Sequence, residues 1–258
     1  MTKTLLFAGL AVAAVASISS AQAAPADWSG LYVGVTGGGQ SFGVDGSNDL
    51  DCTTACSYFN AVNTPPFQDA PSFSSSDAGS AFGVEAGWNA PMGSGMMWGI
   101  EGDISSSDFS SSETHGIAYV SAPANGLVYT NDLEADWSAT IRLRAGLTAG
   151  NTLFYVTGGV AFADVTLKTD ISEQVAGVVN CGICRTGSAE QSDTLTGWTL
   201  GAGAEWAWDP NWSIKFEYLY EDFGSISTDV DSGYNTDSFH TSADVNANVV
   251  RIGINYGF

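Results

Sequence analysis

Between residues 195 and 223 the chain alternates with period two, and the two sets of side chains differ in an unusual way. Trp198, Leu200, Ala202, Trp206 and Trp208 share one side of the first segment, and Thr199, Gly201, Gly203 and Glu205 the other. After "DPN" the pattern resumes, with Trp212, Ile214, Phe216, Tyr218 and Tyr220 set against Lys215, Glu217 and Glu221. Period two is the signature of a β-strand with unlike faces. A water-soluble sheet also alternates, but its polar face lies in water and needs no glycines. Here the large aromatics side with the aliphatics, and the opposite face is small or charged. That combination suits a strand with lipid on one side and a confined polar interior on the other.

Eight such segments occur, near 30–39, 80–89, 96–105, 135–147, 153–167, 195–208, 212–223 and 246–258. Several are close to the roughly ten residues a tilted membrane strand requires. Short connections at 90–95, 148–152 and 209–211 alternate with long polar ones at 40–79, 106–134, 168–194 and 224–245. The pattern predicts an all-β, eight-stranded antiparallel up-and-down transmembrane β-barrel. Its short turns would be periplasmic and its four long loops extracellular. Trp88, Trp98, Trp206, Trp208 and Trp212 all lie near the short turns, as an interfacial aromatic girdle would. Segments one and five, "LYVGVTGGG" and "LFYVTGGVAFA", are apolar on both parities, so their facing stays open.

Lys3, the apolar run from Leu5 to Val15 and Ala21-Gln22-Ala23 make a cleavable secretory leader over residues 1–23, leaving 24–258 as the barrel. The chain holds 28 acidic residues and seven Lys or Arg, a net charge of −21, which argues against a nucleic-acid partner. Of the six basic residues beyond the leader, four stand on the small, charged faces at one distance from the short turns: Arg142, Arg144, Lys215 and Arg251. Glu85, Glu101, Asp103, Glu205 and Glu217 occupy the same faces. An eight-stranded barrel has an interior that side chains just fill, so these charges should pair there. A paired plug is the expectation; a narrow, ion-selective pore is the alternative.

The remaining signals are weaker. Cys52, Cys56, Cys181 and Cys184 form two tight pairs, read as loop-stapling disulfides in a secreted chain, with three connectivities open. The CxxC spacing alone would also suit a redox motif or half a zinc site, but no βαβ pattern or nearby His accompanies it. "FHTS" (239–242) contains a His-x-Ser, a thin basis for catalysis, and no catalytic residue, metal ligand or cofactor is assigned. The acidic stretches 45–51 and 229–237 could attract divalent cations, although neither has EF-hand spacing.

"DWSGLYVGVTGG", "FGVEAGWNAPMGSGMMWGIEGDIS", "IRLRAGL", "GWTLGAGAEWAWDPNWSIKFEYLYEDFG" and the closing "VVRIGINYGF" resemble the small OmpA-type outer-membrane barrels of Gram-negative bacteria, in particular the opacity-type, porin-family surface proteins of alphaproteobacteria. The resemblance implies an outer-membrane location, periplasmic termini, contact with lipid and lipopolysaccharide, and handling by periplasmic chaperones and the barrel-assembly machinery. It also implies that Val250, Ile252, Ile254, Tyr256 and the terminal Phe258 form the assembly signal. The role so implied is structural and non-enzymatic, with channel and host-adhesion roles as alternatives.

Overall fold

The computed structural model describes residues 27–52, 72–175, 178–179, 186–231 and 237–258. Eight long strands account for nearly all of them: β1 Gly30–Cys52, β2 Phe73–Gly93, β3 Met96–Tyr119, β4 Ala122–Ala149, β5 Thr152–Val175, β6 Thr186–Ala207, β7 Trp212–Asp231 and β8 Asp237–Gly257. Val178–Val179 adds a two-residue rung to the end of β5. Each strand pairs antiparallel with its sequence neighbours, and β8 pairs with β1 from Tyr32↔Gly257 to Cys52↔Asp237. The ring is thereby closed, which removes its sheet edges at the short-turn end.

Tight turns form where the sequence supplies left-handed backbone. Ser94 and Gly95 have φ of 55° and 77°, and Gly150 has 61°. Two such residues in succession twist with the strands they join. At the third short turn, the backbone of Asn211 donates to the Asp209 carboxylate at 3.2 Å. The chain end is tied in at the same level: Phe258 N donates to Leu31 O at 3.0 Å, and Asn211 Nδ2 to Gly257 O at 2.8 Å.

The strands run for 20 to 28 residues, about twice what a membrane crossing needs. The described residues of the segments at 40–79, 106–134, 168–194 and 224–245, expected as loops, are therefore largely strand. The second is a hairpin whose turn lies between Tyr119 and Ala122. The reason is visible in β1. Near the short turns its apolar residues Leu31, Val33 and Val35 face outward, and Tyr32, Thr36 and Gln40 inward. Further along, facing is unchanged, but the apolar residues Phe42 and Val44 now take the inward positions. β8 does the same: Val250, Ile252 and Ile254 face out, whereas Phe239, Ala243, Val245, Ala247 and Val249 are buried. One half of each strand is built for lipid outside, the other for water outside.

The architecture changes with the solvent. The β2–β3 ladder stops at Ala81↔Ser107 and the β6–β7 ladder at Trp198↔Asp222, while the other six ladders continue. Beyond those points the barrel separates into two four-stranded sheets, β7-β8-β1-β2 and β3-β4-β5-β6. Bulges at Asp136, Asp108 and Phe223 mark the transition. The sheets face each other across an apolar core in which Phe42 meets Phe109 and Phe223, at 4.4 and 6.3 Å between ring centroids. A second cluster of Leu127, Tyr129, Ile171, Val230 and Phe239 fills the far end.

Candidate functional site

The lumen at the membrane level is a layer of charge. Arg142, Arg144, Lys215 and Arg251 point into it from β4, β7 and β8. Glu85, Glu101, Asp103, Glu205 and Glu217 enter from β2, β3, β6 and β7; eight of the nine residues are buried, and the Asp103 side chain is only 4% exposed. Alternation alone puts each on the inner face. The shared distance from the short turns puts them at one height.

Two hubs organise the layer. Glu101 accepts from Arg144 at 3.1 Å, from Lys215 at 3.1 Å, from the Tyr32 hydroxyl at 2.5 Å, and closely from Arg142. Glu217 accepts from Arg251 Nε at 2.7 Å and from the Tyr155 hydroxyl at 2.9 Å, with Arg142 Nη1 at 3.2 Å. Arg251 and Arg142 also grip Asp103, at 2.8 and 2.9 Å, and Thr140 donates to it at 2.5 Å. Lys215 is bonded closely to Glu85. Glu205 takes Arg144 at 3.0 Å, Asn255 at 2.9 Å and Ser213 at 2.5 Å. A carboxylate held by several donors in a dry site is far better stabilised than one in a single pair. Glu85 Oε1, Arg142 Nε and Asn255 Oδ1 are left without hydrogen-bond partners.

Glycine supplies the room. A Cβ at Gly38 would lie 2.1 Å from the Val250 carbonyl oxygen and 2.7 Å from Arg251 Cα. One at Gly159 would lie 2.0 Å from the Ile141 carbonyl oxygen and 2.7 Å from Arg142 Cα. The bare backbones let the neighbouring strands close in where the two arginines leave the wall.

Sequence reasoning missed several members of this layer. Tyr32 and Tyr155 both face inward, and the Arg144 guanidinium lies 4.1 Å from the centre of the Tyr155 ring. They stand in the two strands that are apolar on both parities, so no local signal gave their facing. Glu221 is a further buried carboxylate, legible from its parity with Lys215 and Glu217. Below the layer, Trp28 packs against Met97, Leu153 and Tyr155 at the short-turn mouth. Above it lies the apolar core of the two-sheet region. Apolar fill, charge and the Trp28 contact thus follow one another along the described lumen, and a cavity of about 40 Å³ remains at the short-turn mouth among Trp28, Tyr32, Glu205, Ser213 and Asn255.

The outer surface carries the complementary pattern. Trp88 and Trp98 meet edge-on at 5.3 Å, and Trp208, Trp212, Tyr256 and Phe258 form a run of ring contacts around the short-turn end. Trp198 and Tyr220 pair at 5.4 Å about ten residues along the strands, at the other margin of the apolar belt. Val250, Ile252, Ile254 and Phe258 of the C-terminal segment lie on this surface.

The other candidates are dispersed. Cys56, Cys181 and Cys184 and the side chain of Cys52 lie outside the described residues, as do residues 232–236 of the second acidic stretch. Residues 45–51 are extended strand, which spaces Asp45 and Asp49 about 13 Å apart instead of wrapping them round an ion. Among the described residues no three His, Cys, Asp or Glu side chains group as metal ligands would. His240 lies on the outer wall of β8 with Nδ1 2.8 Å from Asp229 Oδ1, two residues from Ser242 along an extended strand.

A closed meander with an apolar, aromatic-bounded belt and a charged interior defines a β-barrel of the bacterial outer membrane. The chain belongs to the family described as the outer membrane protein beta-barrel domain, whose model matches residues 10–258. It is 33% identical over 263 residues to the 31 kDa outer-membrane immunogenic protein of Brucella melitensis, covering 98% of this chain and 95% of that protein. The 22 kDa outer membrane protein of Rhizobium leguminosarum is 31% identical over 120 residues, covering 46% of this chain and 47% of its own. Among solved structures, the outer membrane protein OprG from Pseudomonas aeruginosa shares the fold, with a TM-score of 0.51 and 15% identity over 92% of this chain and 98% of that one.

Proposed function

We propose that this outer-membrane barrel is a closed, non-catalytic structural protein that holds a rigid two-sheet head above the membrane surface. The observation that carries the reading is the filled lumen. Five carboxylates interlock with four bases at the membrane level, and an apolar core continues above them. Ions crossing such a layer would have to break several desolvated pairs at once.

In this reading residues 1–23 are removed on export. The short turns and both termini face the periplasm, chaperones and the barrel-assembly machinery recognise the C-terminal strand with Phe258, and lipopolysaccharide surrounds the belt. The description of the 31 kDa relative as an outer-membrane immunogenic protein fits a head exposed outside the cell. The test is planar-bilayer conductance of the purified, refolded protein. The closed barrel predicts no single-channel steps above the lipid baseline. Reproducible, cation-selective steps would replace it with the pore.

A second reading, a surface for interaction with host or neighbouring molecules, is favoured by one feature: half of each strand, and a core of its own, stand clear of the membrane.

A further inference from the structure

Closing a barrel removes its edges, but the two-sheet head has edges again. On β6 the ladder to β7 ends at Trp198↔Asp222, while pairing to β5 continues to Ser172↔Thr186. Residues 186–197 are thus hydrogen-bonded on one side only. β7 does not run alongside this stretch as a partner strand. Beyond its bulge it lies against β5, and Val230 joins the cluster with Tyr129 and Ile171 between the sheets. The far end of the edge is covered: a Cβ at Gly187 would lie 2.8 Å from Val230 Cγ1 and 3.0 Å from the Asp231 carbonyl oxygen, and Ala189 packs on the same cluster, so the open stretch is 190–194, before the buried Leu195. Its exposure pattern agrees. Residues 190–194 are all exposed, although alternation would bury Gln191 and Asp193.

The other split differs. Between β2 and β3 side chains replace the missing ladder: Ser80 N and Oγ donate to Asp108 at 2.7 and 2.9 Å, and the Ser75 and Ser111 hydroxyls meet at 2.7 Å. That edge is laced shut.

We propose that the β6 edge, residues 190–194, docks an extended basic peptide as an added strand. A free edge offers alternating N–H and C=O groups to any extended chain, and natural proteins usually blunt it with Lys, Pro or a bulge. This stretch, "EQSDT", has no Lys, Pro or bulge; its defence is acidic, Glu190 and the inward-parity Asp193, which repel a like edge and leave it open to a basic one. Asp222, Asp229 and Asp231 stand on the neighbouring β7. Lys168, opposite Glu190 on β5, is the one described basic residue outside the lumen layer, and it is held by Asp170 at 3.0 Å. The charge decides the occupant. Pairing with a second copy would place like carboxylates against each other, whereas alternate Lys or Arg residues on an incoming strand would meet them. Main-chain bonds would supply affinity and the two acids register. The inference does not depend on whether the lumen conducts.

The experiment uses the full barrel in detergent micelles and a short peptide alternating Lys with Thr. Hydrogen exchange, read by mass spectrometry, should slow at residues 190–194 when the peptide is added, and nowhere in the membrane layer. The double variant Glu190→Lys/Asp193→Lys should weaken binding by about tenfold or more. Both side chains are exposed, and unchanged heat-modifiable migration on SDS gels would show that the barrel still forms. A peptide N-methylated at every second residue keeps its charge but cannot pair on that edge, and should lose both binding and protection. Equal binding of the methylated peptide would overturn strand addition, as would binding without protection of β6 or no binding at all. Protection of β6 that grows with protein concentration in the absence of peptide would make a second copy the occupant and overturn the basic-peptide assignment.

Discussion

Arg251 Nη1 donates to Asp103 Oδ1 at 2.8 Å, joining the C-terminal strand to the third strand across the lumen and across 148 residues of sequence. The same guanidinium bonds Glu217. One side chain therefore ties β8 to β3 and β7, and the barrel wall is cross-braced from inside.

Removing that brace leaves two carboxylates short of donors in a dry interior. Arg251→Met should cost about 3–5 kcal/mol of stability. Arg251→Met combined with Asp103→Leu should recover part of the loss, because fewer charges remain unpaired. Urea unfolding in lipid vesicles measures both. A wet lumen would instead screen the charges, with single losses of about 1 kcal/mol or less and no coupling.

Neighbouring glycines make a sharp contrast. A Cβ at Gly38 meets backbone at 2.1 Å, whereas at Gly39 the nearest atom is 3.9 Å away. Gly38→Ala should lower stability by about 1–3 kcal/mol through forced strand separation beside Arg251. Gly39→Ala should change it by about 0.5 kcal/mol or less. Equal effects of the two in the same unfolding assay would contradict the close approach of β1 and β8.

Facing can be read out with phenylalanines. Phe42 is buried between Phe109 and Phe223, while Phe82 is 66% exposed on the belt. Phe42→Ala should cost about 3–5 kcal/mol by leaving a cavity in the two-sheet core. Phe82→Ala leaves a dent that lipid fills, so its cost should be clearly smaller. If the order were reversed, the head would not be a packed core.

Phe258 is mostly exposed, yet its backbone N–H closes onto Leu31 O at 3.0 Å and its ring meets Tyr256. Phe258→Ser should reduce the yield of heat-modifiable barrel in the outer membrane while periplasmic export continues. The variant still has the backbone bond, so a normal yield would assign the terminal ring no part in assembly. Cell fractionation followed by gel migration with and without heating distinguishes the outcomes.

The sequence by itself determined the parts that depend on a period of two. Strand β6 shows Trp198, Leu200 and Trp206 outward and Thr199 and Glu205 inward, as its alternation requires. The charged residues reached a common height because their distances from the short turns were already alike. Tertiary structure decided what that pattern could not express. Ser-, Asp- and Gly-rich stretches such as 73–80 and 107–116 read as loops, since their few apolar residues, Phe73 and Phe109 among them, lie on the face opposite to that of the membrane half. The parity of β1 never changes, but the solvent outside does, from lipid at Val35 to water at Asp45. Inside and outside therefore exchange hydrophobicity midway along the strand. Which carboxylate each arginine holds, which way Tyr32 and Tyr155 turn, and where two ladders part follow from ring closure and from the facing sheet. Neither is present in any short window of sequence.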